Sequence, residues 1–292
     1  MEEPALRAAL RAVALVVLCV FAAHTLRMFL GASHLPTPSN VSVEELPAKA
    51  WRLAVETEGE QPLRVETSVR RGELAFRFEA TLDASVAEII SLARETDLMP
   101  TWNPFCARAG VAKVASPLDL FAYADFVFPH LPVPPLFVVV HATLEDRRPA
   151  TGQHWYCRVA SSPASGDSPD ALDRTDFPAE MLKHGEVKLA YAFGTLTALA
   201  RKRGSSPRSR ANVEMAMDLT QLEVLGPLRF LTPPAWLVNT VTRVMIPGVW
   251  RGIIDAIAQI QADGPKGPIG ARLAADTTGV YRRVRRASGQ PT

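Results

Sequence analysis

Between Leu74 and Leu82 apolar and polar positions alternate. Leu74, Phe76, Phe78, Ala80 and Leu82 fall on one side, and Ala75, Arg77, Glu79 and Thr81 on the other. A period of two predicts a strand with one buried and one wet face. Leu63–Arg70 reads as its hairpin partner across Arg71-Gly72. The period then changes. Ser85-x-x-Glu88 is a capping box, and Val86, Ile89, Ile90 and Ala93 follow at helical spacing before Pro100. Strand-like runs return at 121–128, 136–144, 154–160, 187–199 and 211–224, with turn-rich connections and no helical pattern between them. Such an order predicts an antiparallel sheet. The last apolar stripe is helical: Leu237, Val241, Val244 and Met245, then Trp250, Ile253, Ile254, Ile257 and Ile260. Thr232 is its expected cap, and Pro247-Gly248 is expected to break or kink it. A further helix is expected over 44–58, from Leu46, Ala50, Leu53 and Ala54.

The predicted fold class is α+β. A curved antiparallel sheet with one apolar face needs a cover, and the C-terminal helix is the element long enough to supply it. A sheet that grips a helix leaves room for a ligand between them.

The N-terminus changes the picture. Ala12 to Leu26 carries no charge, follows Arg7 and Arg11, and reaches Ala32 if Arg27 snorkels to the interface. Residues 1–32 read as a membrane anchor, with a cleaved signal peptide and a core helix as alternatives. Membrane association through this segment is the expectation, and its side is open. Positive flanks place the domain in a lumen; a cytosolic domain is the other choice. Residues 33–43, with Pro36 and Pro38, read as a linker, and 44–262 as the folded domain. Asn40-Val-Ser42 is a glycosylation sequon only if it reaches a lumen.

Composition removes several function classes. The 292 residues carry a formal net charge of +2, and hydrophobic residues make up 48%. The chain can bury a core and is no general polyanion binder, so nucleic acid is not an expected partner. Cys19, Cys106 and Cys157 are too few for a disulfide framework or a cysteine zinc site. From residue 264 onward six basic residues face one acid, a local net of +5 against −3 for the rest. Residues 263–292 therefore read as a solvated, disordered tail. The competing reading is a polybasic patch for anionic lipid, worth roughly 1 kcal/mol per basic residue at a charged membrane. Segments 161–186, rich in acids, and 201–210, rich in bases, are expected as exposed loops. Asp170, Asp173 and Asp176 lack the spacing and glycine of a calcium loop.

Motifs for catalysis are missing: no nucleophile elbow, zinc-protease helix, Cys-x-x-Cys, phosphate loop or dinucleotide glycine pattern. No cofactor or metal is expected. The six histidines lack ligand spacing, and only His141 and His154, both in strands, could approach one another. Glu145, Asp146 and Asp218 are acids that nothing singles out.

At Glu95-Thr-Asp-Leu-Met-Pro-Thr-Trp-Asn-Pro-Phe105 the chain resembles the START (steroidogenic-acute-regulatory-related lipid-transfer) family, of the helix-grip class. The likeness continues at Leu120-Phe-Ala-Tyr123, in the proline-rich turn from Phe128 to Pro135, and at Pro234-Ala-Trp-Leu-Val-Asn239. It departs at Leu136-Phe137, where many members carry Arg-Asp. The resemblance implies a hydrophobic cavity enclosing one lipid, gated by the C-terminal helix and a loop, with no reaction. Candidate cavity residues are Phe76, Phe78, Trp102, Phe126, Tyr191, Phe193, Met215, Met217 and Trp236. Candidate gate residues are Pro247, Trp250, Ile253, Ile254 and Ile257. The expected partners are a lipid and a membrane. Two alternatives stay open: a cyclase- or aromatase-like enzyme on a hydrophobic substrate, and a membrane-tethered interaction module.

Overall fold

A hairpin starts the sheet. β1 (Arg52–Thr57), β2 (Leu63–Arg70) and β3 (Glu73–Leu82) are antiparallel neighbours. The β2–β3 turn uses Gly72 at φ +75°, a left-handed conformation that glycine adopts without strain. These elements come from a computed structural model, which describes residues 50–70, 72–128, 135–147, 154–161, 172, 176–199, 206–221 and 233–288. Phe128 apart, they belong to one unit. The expected anchor, linker and sequon, Thr232, Asp170, Asp173, and most of the proline turn and the loops after Ser161 and Ala200 lie outside the described residues.

Beyond β3 come α1 (Val86–Arg94) and a 3-10 turn, Thr96–Thr101. The capping box forms in full: the Glu88 amide donates to the Ser85 hydroxyl at 3.1 Å, and the Ser85 amide donates to the Glu88 carboxylate at 2.6 Å. Seven strands follow: β4 (Cys106–Ser116), β5 (Asp119–Phe126), β6 (Leu136–Asp146), β7 (His154–Ser161), the short β8 (Gly185–Glu186), β9 (Lys188–Ala198) and β10 (Ser209–Asp218). The sheet order is β1-β2-β3-β10-β9-β7-β6-β5-β4, antiparallel throughout, with β8 added in parallel to β6. Three helices end the chain: α2 (Ala235–Asp263), α3 (Pro268–Ala275) and α4 (Val280–Ala287).

Several expectations are corrected. The helix expected over 44–58 is a strand where described, because Arg52–Thr57 pairs with β2 along the sheet edge. Strand β4 had no forecast. It is an edge strand with three register shifts, so its burial follows no period of two. Helix α2 runs unbroken through Pro247. Pro247 is exposed, so water can satisfy the carbonyl that lost its donor. The inward stripe of the first half of α2 is Val238, Thr242 and Ile246, one position on from the expected one, and Val244 is 52% exposed. The expected disordered tail folds through residue 288 as α3 and α4. Val280, Tyr281 and Val284 are at most 2% exposed and join the main core with Leu82, Val86, Ile90, Trp155 and Ile257.

The two faces of the sheet separate by register. Thr67 pairs with Phe76, and Phe76 with Met215. The buried Thr67 hydroxyl donates to Oδ1 of Asn239 on α2 at 2.7 Å, which fixes this as the inner face. Leu74, Phe76 and Phe78 therefore face α2. Arg77 and Glu79 face out, as the alternation requires. On the outer face Arg77 is held by Glu66 at 3.6 Å and Glu214 at 3.1 Å.

Candidate functional site

Against the inner face lie two adjoining cavities, the first under α2 and the second under α1. The first, about 260 Å³, is walled by Phe78, Ala80 and Leu82 of β3, by Ile89 and Ala93 of α1, and by Ile246, Val249, Trp250 and Ile253 of α2. The second, about 240 Å³, lies between α1 and strands β5, β6, β7, β9 and β10, with Val280 of α4 in its wall. Ile89, Ala93, Ala211 and Val213 line both lobes. Neither lobe alone reaches the roughly 300–1,000 Å³ of small-molecule sites, but the two together do.

The chemistry of the wall follows from the alternation of the strands. β3 and β10 contribute alternate residues, Phe78, Ala80 and Leu82 and then Ala211 and Val213, while α1 contributes Ile89 and Ala93, one turn apart. Among the described residues the first lobe has no charged side chain, and the second has one, Arg94. The Arg94 guanidinium donates to the Pro117 carbonyl at 2.9 Å across the mouth of that lobe. Cys157 lines the second lobe, and burial pushes its thiol up to about 11. It is a small apolar group there, not a nucleophile.

Trp102 separates the first lobe from a surface groove of about 480 Å³ formed with Pro100, Pro104, Gly248, Gly252 and the start of α3. Its loop lies directly on α2. A Cβ on Gly252 would stand 1.8 Å from the Trp102 carbonyl oxygen, so only glycine permits this approach. Asn103, almost fully buried, accepts from the Phe105 amide at 3.1 Å and stiffens the same turn.

Of the expected cavity residues, Phe78 and Trp102 line the first lobe. Phe76, Met215, Met217 and Phe126 share the inner face by register but line neither lobe. Tyr191 and Phe193 are corrected: they stand on the outer face. Phe193 pairs with Glu214, and the Tyr191 hydroxyl donates to Glu214 at 3.0 Å. The pairings of Tyr191 with Ala216 and of Phe193 with Glu214 put both on the face of Ala75 and Arg77. Trp236 is also corrected. It is 52% exposed, because α2 turns it away from the sheet.

Among the expected gate residues, Trp250 and Ile253 line the first lobe and Ile257 is buried in the core below it. Ile254 is half-buried beside neither lobe, and Pro247 is exposed. The smaller wall residues Ala80, Ala93, Ala211 and Val213 were missed. The inward set of β10 and the i, i+4 pair of α1 carry their signal, but small side chains do not stand out beside aromatics.

The acids and histidines lie elsewhere. His141 pairs with Asp119 at 2.5 Å and stacks on Phe121, while its backbone opposes Ala160, six residues from His154. His184 holds the buried Asp125 at 2.6 Å, with Arg108 at 3.4 Å. Asp125, between inward-facing Ala124 and Phe126, belongs to the outer face, which Leu172, Phe177 and Met181 cover. Among the described residues no cluster of ligating side chains could hold a metal.

Neither the protein-family models nor the curated proteins give a match to the chain. Solved structures do. Human StAR-related lipid transfer protein 5 aligns at a TM-score of 0.50 and 10% identity, over 87% of this chain and 99% of its own. The fold is the START-like helix grip. A STAR-related lipid transfer protein from Xanthomonas axonopodis aligns at a TM-score of 0.46 and 20% identity, over 72% of this chain and 99% of that one. The di-domain ARO/CYC StfQ of the steffimycin biosynthetic pathway aligns at 0.36 and 10%, over 69% and 71%.

Proposed function

We propose that the protein binds one hydrophobic lipid in the paired lobes and carries it between membranes, without a reaction. The observation that carries this reading is the wall itself: two adjoining lobes that have, among the described residues, one ionisable side chain, Arg94, apart from a thiol held protonated. The driving force is desolvation. Each CH₂ removed from water contributes about 0.8 kcal/mol. A chain of some sixteen carbons would gain on the order of 12 kcal/mol before the costs of binding. The fold likeness to lipid transfer proteins is consistent with this use of the space.

Release needs an opening. Trp250 and Ile253 seal the first lobe from α2, and Trp102 seals it from the outer groove. Withdrawal of the Pro247–Ile253 stretch from the Trp102 loop opens the lobe, and a bilayer surface offsets the exposed apolar area. The apolar segment at residues 1–32 keeps the domain at a membrane in this scheme. An acid–base reaction on a hydrophobic substrate would instead need a carboxylate or imidazole in the wall; the described lining contains neither.

Transfer of a fluorescent lipid between vesicles tests the gate. Ile253→Asp should reduce lipid retention at least tenfold, since it puts a charge into an apolar wall. Pro247→Ala should slow exchange, since it restores a donor to the helix. If both variants are folded and transfer at the wild-type rate, this gate is wrong.

A further inference from the structure

Helix α4 has two faces of opposite chemistry. Val280, Tyr281 and Val284 are buried, and Arg282, Arg283 and Arg286 are exposed, with Arg285 half-exposed between them. The apolar face is already used by the core, where it packs beside α1 and Trp155. What remains outside is cationic. None of these four guanidiniums makes an ion pair or hydrogen bond with a described residue. Arg272 on α3 differs, being clamped by Glu95 at 2.7 Å and Asp97 at 2.6 Å. The helix itself is firmly placed. Asp276 accepts from the amides of Tyr281 at 3.1 Å and Arg282 at 2.6 Å, and the Tyr281 hydroxyl donates to Glu95. Arg282, Arg283 and Arg286 edge a shallow concavity of about 610 Å³ with Gly279 and Ala287, and among the described residues its one carboxylate is Asp146.

The position of this face gives it meaning. Val280, two residues before Arg282, is part of the wall of the second lobe, beside Arg94 and the Pro117–Leu118 turn. One short helix thus presents arginines to water and a valine to the cavity. Unpaired, planar guanidiniums suit phosphate and carboxylate oxygens that they can bind in pairs. A bilayer surface offers such anions as a dense array, and it is also the phase with which a cavity-held lipid exchanges.

We propose that the arginine face of α4 docks the protein on an anionic bilayer, with the lobe behind Val280 turned toward it. The inference rests on the lipid-binding reading for its choice of a bilayer as the partner. The test uses the full-length chain and a triple variant, Arg282→Gln, Arg283→Gln and Arg286→Gln. All three side chains are exposed, so the melting temperature should hold. Stopped-flow energy transfer from tryptophan to a dansyl lipid reads the association rate with phosphatidylcholine vesicles, with and without phosphatidylserine. Any contribution of residues 1–32 is common to both proteins and cancels in the ratio. Wild type should associate about tenfold or more faster with the anionic vesicles, and added salt should erase the gain. The triple variant should show little or no preference. A wild-type protein without the preference, or a triple variant that keeps it, overturns the proposal. The first result would redirect the face to a soluble polyanion. Lipid content by native mass spectrometry, measured in parallel, reports failure of the lipid-binding reading separately.

Discussion

Asn239 shows how much one side chain can fix. Its amide accepts the hydroxyl of Thr67, which is 2% exposed, and so pins α2 to β2. Asn239→Leu should destabilise the fold by about 1–3 kcal/mol in urea melts, because a buried hydroxyl loses its partner. A second residue-scale expectation concerns Cys157. Burial holds its thiol at about 11, so near neutral pH it is almost entirely protonated. Alkylation followed by peptide mapping should rise about tenfold per pH unit toward that value, and loading with lipid should slow it further. The sequence showed Asn239 only as part of a resemblance. It could not show Thr67 as the partner, since 172 residues separate the two.

At the scale of elements, contacts between α2 and its neighbours decide the shape of the cavity. The Trp102 carbonyl lies against Gly252, and a methyl group there has no room. Gly252→Ala should cost about 1–3 kcal/mol, the range of overpacking, and should loosen the Trp102 loop from the helix. Differential scanning calorimetry measures the first effect, and tryptophan fluorescence quenching the second. The clamp between α3 and the turn after α1 depends on pH. The Arg272 guanidinium, by hydrogen bond first, holds the Asp97 carboxyl below its ordinary range. A lowered carboxyl contributes stability above its unfolded value, and that stability is lost as pH falls through the folded one. Asp97 is substantially exposed, so solvent screens the pair and Arg272→Gln should cost only about 1 kcal/mol at pH 7. The gap between the two urea midpoints should narrow toward pH 3.

Legibility also differs by element. β3 and α1 were readable because one face of each is wet and the other dry, so period and capping agree. β4 was not, since an edge strand with bulges has no clean period. Helices α3 and α4 were hidden by charge. Six basic residues dominate the segment, and the burial of Val280, Tyr281 and Val284 depends on α1 and Trp155, far away in sequence. Tyr191 and Phe193 failed as cavity residues for a related reason. An aromatic in a strand declares that it packs, but not on which face.

For the whole molecule, the central claim is that the START-like grip encloses one lipid between α1, α2 and the sheet. Among the described residues no helix is long and apolar enough to cross a membrane. Ala211 lines both lobes, and Ala211→Trp would fill their junction. Native mass spectrometry of the full-length protein, purified and then exposed to lipid vesicles, measures occupancy directly. One lipid per chain is expected in the wild type, with a marked loss of it in folded Ala211→Trp. A wild-type protein that stays free of lipid, or an Ala211→Trp protein that loads equally well, would contradict it.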